Sequence, residues 1–113
     1  HEPPWAALRR EVREELGLDL PPGSLLAVNW MPPYRQWDDA VHFVFDLGVV
    51  PDVLERAVLD RRELAGVHWV EPADADQRMA PYAVRHLTSI LASDSRSGPL
   101  VLEDGSLPEA DVT

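Results

Sequence analysis

The chain has 113 residues, which is enough for one hydrophobic core and one domain. It carries 20 acidic residues against 10 lysines and arginines, so its formal net charge at pH 7 is −10. A domain that binds duplex nucleic acid needs a basic face to neutralise phosphates, and this charge disfavours such a partner. The absence of cysteine excludes disulfide scaffolds, thiolate metal sites and cysteine nucleophiles. No apolar run approaches the roughly 20 residues of a membrane span and no signal-peptide core is visible, so we expect a cytoplasmic protein without a membrane partner.

The first predicted element is a helix over residues 3–18. Pro3 and Pro4 suit a first helical turn, where a missing N–H would have no partner in any case. Apolar residues then recur at spacings of three and four and form one stripe: Trp5, Leu8, Val12 and Leu16. Gly17 follows the stripe and can adopt the left-handed conformation that ends a helix.

The rest of the chain alternates short strands with helices. Residues 24–31 and 41–47 are predicted strands, because they are rich in aliphatic and aromatic residues. Residues 52–59 fit a short helix or an extended arm equally well. The pattern then predicts a short strand over residues 67–70, a helix over about residues 80–92 and a terminal strand over residues 100–103.

Acidic side chains cluster on the first predicted helix. At about 100° per residue, Glu11, Glu14 and Glu15 share one face, opposite the apolar stripe. At separations of about 6 Å each like-charged pair costs about 1 to 3 kcal/mol, so the cluster is unfavourable in an isolated helix. A bound divalent cation would reverse that cost, because carboxylate oxygens are the ligands that Mg²⁺ or Mn²⁺ takes. Strings of Arg and Glu are also common on solvated helix faces, so residue types alone leave both interpretations open.

The order and spacing of these residues are more specific than their types. Glu2, seven intervening residues and the string from Arg10 to Leu18 resemble the Nudix box, G-x5-E-x7-R-E-U-x-E-E-x-G-U, in which U is a bulky aliphatic residue. Eight of the nine specified positions are matched, and the opening glycine would precede His1. The order of the later strands and the closing helix is also similar to the later half of that family.

The resemblance implies an α/β fold, namely the Nudix-type α/β/α sandwich with a mixed β-sheet. The strands that precede the box in that fold would also lie before His1, so we expect the fold to be N-terminally incomplete. On this basis residues 1–94 are predicted to form the C-terminal portion of a Nudix hydrolase domain. Residues 95–113 are predicted to form a C-terminal tail with a short strand.

The resemblance also implies a function, that of a Nudix pyrophosphohydrolase. The substrate would be a nucleoside diphosphate linked to another moiety, in which water attacks phosphorus and a phosphoanhydride bond breaks. Mg²⁺ or Mn²⁺ would be the cofactor, because clustered metal ions both shield the diphosphate charge and produce the nucleophile. ADP-ribose, dinucleoside polyphosphates, nucleoside triphosphates and nucleotide sugars all carry the group that the box recognises. A homodimer is common in this family.

The same resemblance assigns roles within the box. It implies that Glu14 and Glu15 are the principal ligands of the metal ion. Glu11 would be a further ligand or the base that takes the proton of the water. Arg10 and Glu2 would form an orienting pair.

Further candidates lie outside the box. Some relatives use another carboxylate, for which Glu63 is the first candidate and Asp60 the second. Tyr34 and Trp37 flank the loop after the first predicted strand, where aromatic rings could stack on a base, and Arg35 could meet a phosphate. A solvated surface position is the competing interpretation for each of these residues.

Two other classes of protein fit the sequence. The first is a catalytically silent Nudix-fold module that binds a nucleotide or a protein, although an intact carboxylate set argues against it. The second is a solvated acidic helix on an unrelated fold, in which the three glutamates would point away from any cleft.

Overall fold

The computed structural model describes residues 1–93 and 98–109, and the chain divides into two units. The first unit contains His1–Ser24 and Phe45–Val70, and the second contains Leu25–Val44 and the described residues from Glu71 onward. The elements in chain order are α1 (Pro4–Leu16), β1 (Leu25–Met31), β2 (Ala40–Phe45), α2 (Val53–Arg56), a 3-10 helix (Pro72–Gln77), α3 (Pro81–Ala92) and β3 (Leu100–Glu103).

Most of the predicted elements are confirmed, with ends that shift by one or two residues. The ambiguous stretch over residues 52–59 contains the short helix α2. The predicted strand over residues 67–70 is wrong: these residues form no strand, and Trp69 is 63% exposed. A strand needs a backbone to pair with, and residues 67–70 are not among the paired strands of the described sheet, which are β2, β1 and β3. Within the predicted tail, residues 95–97 and 110–113 lie outside the described residues.

Helix α1 ends at Gly17, as its sequence predicts. Gly17 has a φ of 67° in the left-handed region, and its N–H donates to the carbonyl oxygen of Arg13 at 2.9 Å. Val12, in the middle of the apolar stripe, is 8% exposed, and Leu18 just after the helix is 4% exposed. The stripe therefore anchors the helix in the first unit and leaves its acidic face outside.

A loop of the first unit is attached to the C-terminal end of α1 by main-chain hydrogen bonds. The N–H of Val58 donates to the carbonyl oxygen of Leu16 at 2.7 Å, and the N–H of Asp60 donates to that of Glu15 at 2.9 Å. The last carbonyls of a helix have no partner within it, so the loop satisfies acceptors that would otherwise need water. Gly17 permits this approach, because a Cβ there would lie 3.1 Å from the Cβ of Val58.

Side chains of α1 also hold the segment that follows the helix. The indole N–H of Trp5 donates to the carbonyl oxygen of Pro22 at 2.7 Å. The guanidinium groups of Arg9 and Arg13 both donate to the carboxylate of Asp19, at 2.7 and 3.0 Å. These two hydrogen-bonded arginines, Arg9 first, hold the pKa of Asp19 well below its usual range.

The sheet has the strand order β2-β1-β3 and is mixed. Strands β1 and β3 are parallel, with Ala27 opposite Leu100 and Asn29 opposite Leu102. Asn29 and Leu102 are both fully buried. The prediction of an α/β fold with a mixed sheet is confirmed. No helix in the described residues combines the length and the apolar character that crossing a bilayer requires.

A buried amide fastens the second unit. The N–H of Gly105 donates to Oδ1 of Asn29 at 2.9 Å, and the amide nitrogen of Asn29 donates to the sulfur of Met31 at 3.0 Å. Burying an amide without partners would cost about 1 to 3 kcal/mol, so these bonds offset the burial of Asn29. Gly105 lies directly against α3, where a Cβ would stand 2.9 Å from the Cβ of Arg85 and 3.0 Å from the carbonyl oxygen of Tyr82.

We expect Gly105→Ala to lower the free energy of unfolding by about 2 to 4 kcal/mol, because the new methyl group meets α3 and the residue must keep a φ of 83°. Gly98→Ala is the matched control. Gly98 has a φ of 84°, but no described atom lies within 4 Å of its would-be Cβ, so only about 1 to 2 kcal/mol should be lost. Urea unfolding of both variants measures the difference, and equal losses would show that crowding against α3 contributes nothing.

We expect Asp19→Asn to destabilise the protein at neutral pH, because it removes both arginine contacts. A lowered folded-state pKa means that the contribution of Asp19 is present above its ordinary value of 3.8 and is lost as the pH falls through the folded-state value. The unfolding midpoints of the variant and the unaltered protein should therefore converge in acid. Asp52→Asn, which removes one longer ion pair to Arg56 at 3.4 Å, is the control. A difference that does not change with pH would contradict the assignment.

Candidate active site on helix α1

Arg10 organises the acidic face of α1. Its guanidinium lies 2.9 Å from a carboxylate oxygen of Glu2 and 3.0 Å from one of Glu14, and it approaches Glu11 at 3.7 Å. Hydrogen bonds to Glu2 first and to Glu14 second raise the pKa of Arg10. Arg10 thus contacts Glu2, the partner that the family resemblance implies, and also Glu14 one turn further along the helix. The carboxylates of Glu11 and Glu14 remain 57% and 59% exposed, where solvent, a cation or a ligand can reach them.

Glu15 has different surroundings from those of Glu11 and Glu14. It is half-buried, and its carboxyl group lies within hydrogen-bonding reach of the carboxyl group of Glu63. Two carboxyl groups can form such a bond only if one keeps a proton. The pKa of Glu15 is therefore raised, first by the bond to Glu63, then by partial burial, and then by the negative charges of Glu63, Glu11 and Glu14.

The attached loop explains how Glu63 reaches the end of α1. After the bond from Asp60 to the helix, the N–H of Glu63 donates back to the carbonyl oxygen of Asp60 at 3.0 Å and forms a tight turn. The side chain of Asp60 accepts hydrogen bonds from the guanidinium and from the backbone N–H of Arg62, both at 3.1 Å, and these bonds, the guanidinium first, lower the pKa of Asp60. Asp60, the second candidate from sequence, shapes the turn. Glu63, the first candidate, is the carboxylate that the turn presents to Glu15.

The donor set matches a hard divalent cation in kind. All of the oxygen donors are carboxylates, they lie at or near one helix face, and Glu15 and Glu63 are already in contact. Within residues 1–93 and 98–109, no three acidic or histidine side chains form a ready-made metal site. Mg²⁺ does not require one, because it commonly takes one or two protein carboxylates together with waters and substrate phosphates. Glu11, Glu14 and Glu15 are the box residues that could hold such an ion.

The other predicted contacts, Tyr34, Arg35 and Trp37, belong to the second unit. Tyr34 and Trp37 exchange two backbone hydrogen bonds of 3.0 Å across a two-residue turn. Residues paired in this way lie directly opposite each other, and their side chains share a face. Arg35 is in the turn with a φ of 54°, a conformation that favours glycine, and its guanidinium lies 5.1 Å from the centre of the Tyr34 ring.

Tyr34 and Trp37 line a cleft of about 610 Å³ within the second unit. Sequence reasoning missed two further residues of this cleft, Tyr82 and Arg85 on the first turns of α3. Their spacing of three places them on one face of a helix, which is the signal that could have found them. The helical spacing could not show that this face of α3 lines the same cleft as Tyr34 and Trp37, because the two segments are far apart in sequence.

A family model of the NUDIX domain matches residues 1–90. The chain belongs to the Nudix family. Comparisons with curated proteins and with solved structures give no match. The matched range includes the box helix α1 and the loop that carries Glu63. The resemblance of residues 2–18 to the Nudix box is therefore confirmed at the level of the family.

Membership of the Nudix family supports a hydrolase that acts on acid anhydrides. The structure brings the predicted Nudix residues together in two groups on α1. Arg10 gathers Glu2, Glu14 and, at longer range, Glu11, whereas Glu15 meets Glu63. One group of carboxylates on the acidic face is thus bonded to an arginine, whereas Glu15 has another carboxyl group as its neighbour.

We expect Glu15→Gln to raise the thermal unfolding midpoint of this Nudix protein at pH 7 without metal, because it removes a charge beside three other carboxylates. The raised pKa of Glu15 means that this gain should shrink as the pH falls through that pKa and the native carboxyl becomes protonated. Glu14→Gln is the same chemical change one position earlier, but it removes the partner of Arg10, so it should not stabilise. Circular dichroism melts of both variants test this. Equal shifts of the unfolding midpoint in the two variants would contradict the assignment of Arg10 as the partner of Glu14 and of Glu63 as the neighbour of Glu15.

Proposed function

We propose that the protein is a divalent-metal-dependent Nudix pyrophosphohydrolase. It would cleave a phosphoanhydride bond in a nucleoside diphosphate derivative, with water attacking phosphorus. The observation that carries the proposal is the meeting of Glu63, from outside the box, with Glu15 on the box helix. A merely solvated acidic helix has no reason to hold a second carboxylate against its own, since like charges repel.

The box glutamates supply the binding groups. Glu14 and Glu15 are the proposed ligands of Mg²⁺ or Mn²⁺, and Glu11 is a further ligand or the base. When bound there, such an ion shields the diphosphate charge and lowers the pKa of a coordinated water. Arg10 keeps the Glu14 carboxylate in place through a bond of 3.0 Å and is itself fixed by Glu2 on its other side. Arg10 and Glu2 are therefore positioning residues.

The carboxyl pair supplies a place for a proton. In the free protein the neighbouring carboxyl group of Glu63 raises the pKa of Glu15, so Glu15 keeps its proton to a higher pH than an ordinary glutamate does. Once Glu15 is engaged as an ionised ligand, Glu63 is the adjacent carboxylate that can accept a proton from water. General bases of this kind work within hydrogen-bonding reach of the water they activate. Glu63 is thus a candidate base alongside Glu11, and Gly17 matters because it allows the loop of Glu63 to approach α1.

The test is a substrate screen with Mg²⁺ or Mn²⁺ over ADP-ribose, dinucleoside polyphosphates, nucleoside triphosphates and nucleotide sugars. We expect turnover of at least one class, loss of turnover with a chelator, and a fall in kcat of about a hundredfold or more in Glu14→Gln and in Glu15→Gln. Glu63→Gln should also lower kcat, because it removes a candidate base. Glu55→Gln, an exposed glutamate on α2, is the matched control and should be fully active.

The stability effects expected for Glu14→Gln and Glu15→Gln differ in direction, so a shared loss of activity cannot come from unfolding. Turnover in the presence of chelator, or full activity in both variants, would overturn the proposal. Calorimetry addresses the alternative of a catalytically silent module. Nucleotide binding without metal, with no product released under any condition, would favour that alternative.

A further inference from the structure

We propose that the cleft of the second unit binds a proline-rich segment of a partner protein in the polyproline II conformation, with a basic residue of that segment beside Asp38. The rings of Tyr34, Trp37 and Tyr82 would pack against the proline rings. This contact is an activity separate from hydrolysis. It needs neither the carboxylates of α1 nor a metal ion, so it does not depend on the proposed function.

The cleft presents exposed aromatic rings on a stiff backbone. Tyr34 is 65% exposed, Trp37 69% and Tyr82 42%. The two backbone hydrogen bonds of 3.0 Å hold Tyr34 and Trp37 opposite each other, and Pro32 and Pro33 in the lining have a restricted φ. Aromatic-lined grooves are the surfaces on which proline-rich segments dock, because a polyproline II helix is already extended and loses little entropy on binding.

The tryptophan of the cleft has a hydrogen-bond donor to offer. Within residues 1–93 and 98–109, the indole N–H groups of Trp5 and Trp30 are bonded at 2.7 and 2.9 Å, whereas that of Trp37 has no acceptor. A polyproline II helix has no internal hydrogen bonds, and its prolines lack N–H groups, so it presents carbonyl oxygens that need donors. The indole of Trp37 therefore complements such a segment in both its apolar ring and its polar atom.

The first unit contains the same recognition within the chain itself. The indole N–H of Trp5 donates to the carbonyl oxygen of Pro22 at 2.7 Å, and Pro21 directly precedes that proline. A tryptophan of this protein thus already binds the carbonyl group of a Pro-Pro dipeptide. Trp37 offers the same group at higher exposure, 69% against 39% for Trp5.

The charges around the cleft favour a basic residue in the bound segment. The guanidinium of Arg85 is paired with Asp104 through bonds of 2.8 Å to the carboxylate and 2.9 Å to the carbonyl oxygen, so its charge is already balanced. Asp38 also lines the cleft, and it forms no ion pair with any residue that the structure describes. A lysine or arginine of the partner can pair with this carboxylate. The net charge of −10 also favours the approach of a basic segment over an acidic one.

The probe is a synthetic proline-rich peptide of about nine residues, three turns of a polyproline II helix, with a terminal arginine. Two control peptides have the same length: one has alanine in place of every proline, and the other has glutamate in place of the arginine. Two-dimensional NMR of the full chain, without metal or nucleotide, follows the indole N–H signal of Trp37. We expect the probe to shift that signal. The alanine peptide should bind about tenfold more weakly and the glutamate peptide about threefold more weakly.

Four variants locate the contact. Trp37→Ala should weaken binding of the probe about tenfold or more, because it removes the ring and the donor. Trp37→Phe keeps a ring without the donor and should lose about threefold to tenfold. Trp69→Ala removes a tryptophan of similar exposure, 63%, from the first unit and is the matched control, with unchanged binding. Asp38→Asn should abolish the difference between the arginine and glutamate peptides.

The proposal is overturned if the probe leaves the Trp37 signal unmoved, if the alanine peptide binds as tightly as the probe, or if Trp37→Ala and Trp69→Ala bind equally. Sedimentation velocity tests another occupant: if no peptide binds and Trp37→Ala instead abolishes a dimer, the cleft is an interface between copies and the proposal fails. No arm contains a metal ion or a phosphoanhydride, so failure here leaves the hydrolase proposal standing. Peptide binding by a protein that hydrolyses nothing would establish the cleft and reject the hydrolase proposal.

Discussion

Two main-chain hydrogen bonds, from Val58 and Asp60 to the last carbonyls of α1, attach the loop that carries Glu63 to the box helix. The candidate site of the first unit depends on this attachment. A helix end offers unsatisfied acceptors, and here a distant loop satisfies them in place of water. Gly17 is needed for two reasons: its left-handed conformation ends the helix, and its missing side chain leaves room for Val58. The same contact brings Glu63 to Glu15. The end of the Nudix helix and the carboxylate from outside the box are thus positioned by one attachment.

The attachment also brings like charges close together, and their repulsion is unfavourable. Four carboxylates, those of Glu11, Glu14, Glu15 and Glu63, influence one small region of a protein that already has a net charge of −10. Arg10 offsets part of the repulsion through Glu14, but Glu15 is left with another acid for a partner. Perturbed carboxyl groups of this kind concentrate at functional sites, where stability is given up for chemistry.

The local features of α1 could be predicted from the sequence because they depend on near neighbours. The apolar spacing and the contact of Arg10 with Glu14 follow from periods of three and four, and the helix stop follows from the conformational freedom of Gly17. The pairing of Arg10 with Glu2, which precedes the helix, is implied by the family resemblance. Glu63 could be named as a candidate from its place in the family pattern, but its partner could not. Residues 67–70 show the limit: apolar composition predicted a strand, but a strand also needs a paired backbone, and these residues are not paired in the described sheet. The meeting of Tyr34 and Trp37 with α3 and the burial of Asn29 likewise depend on contacts between distant segments.

The parallel pairing of β1 with β3 has a consequence for the order in which the protein can fold as it is synthesised. Asn29 and the glycine that donates to it are 76 residues apart, so a ribosome completes every segment of the first unit, through Val70, before the partner strand of β1 exists. Until then the amide oxygen of Asn29 and the parallel edge of β1 lack the partners that they have in the folded protein. Non-local pairing of this kind folds slowly and leaves strand edges open to aggregation. Nascent chains halted shortly before Leu100 should therefore be the ones most prone to misassociate.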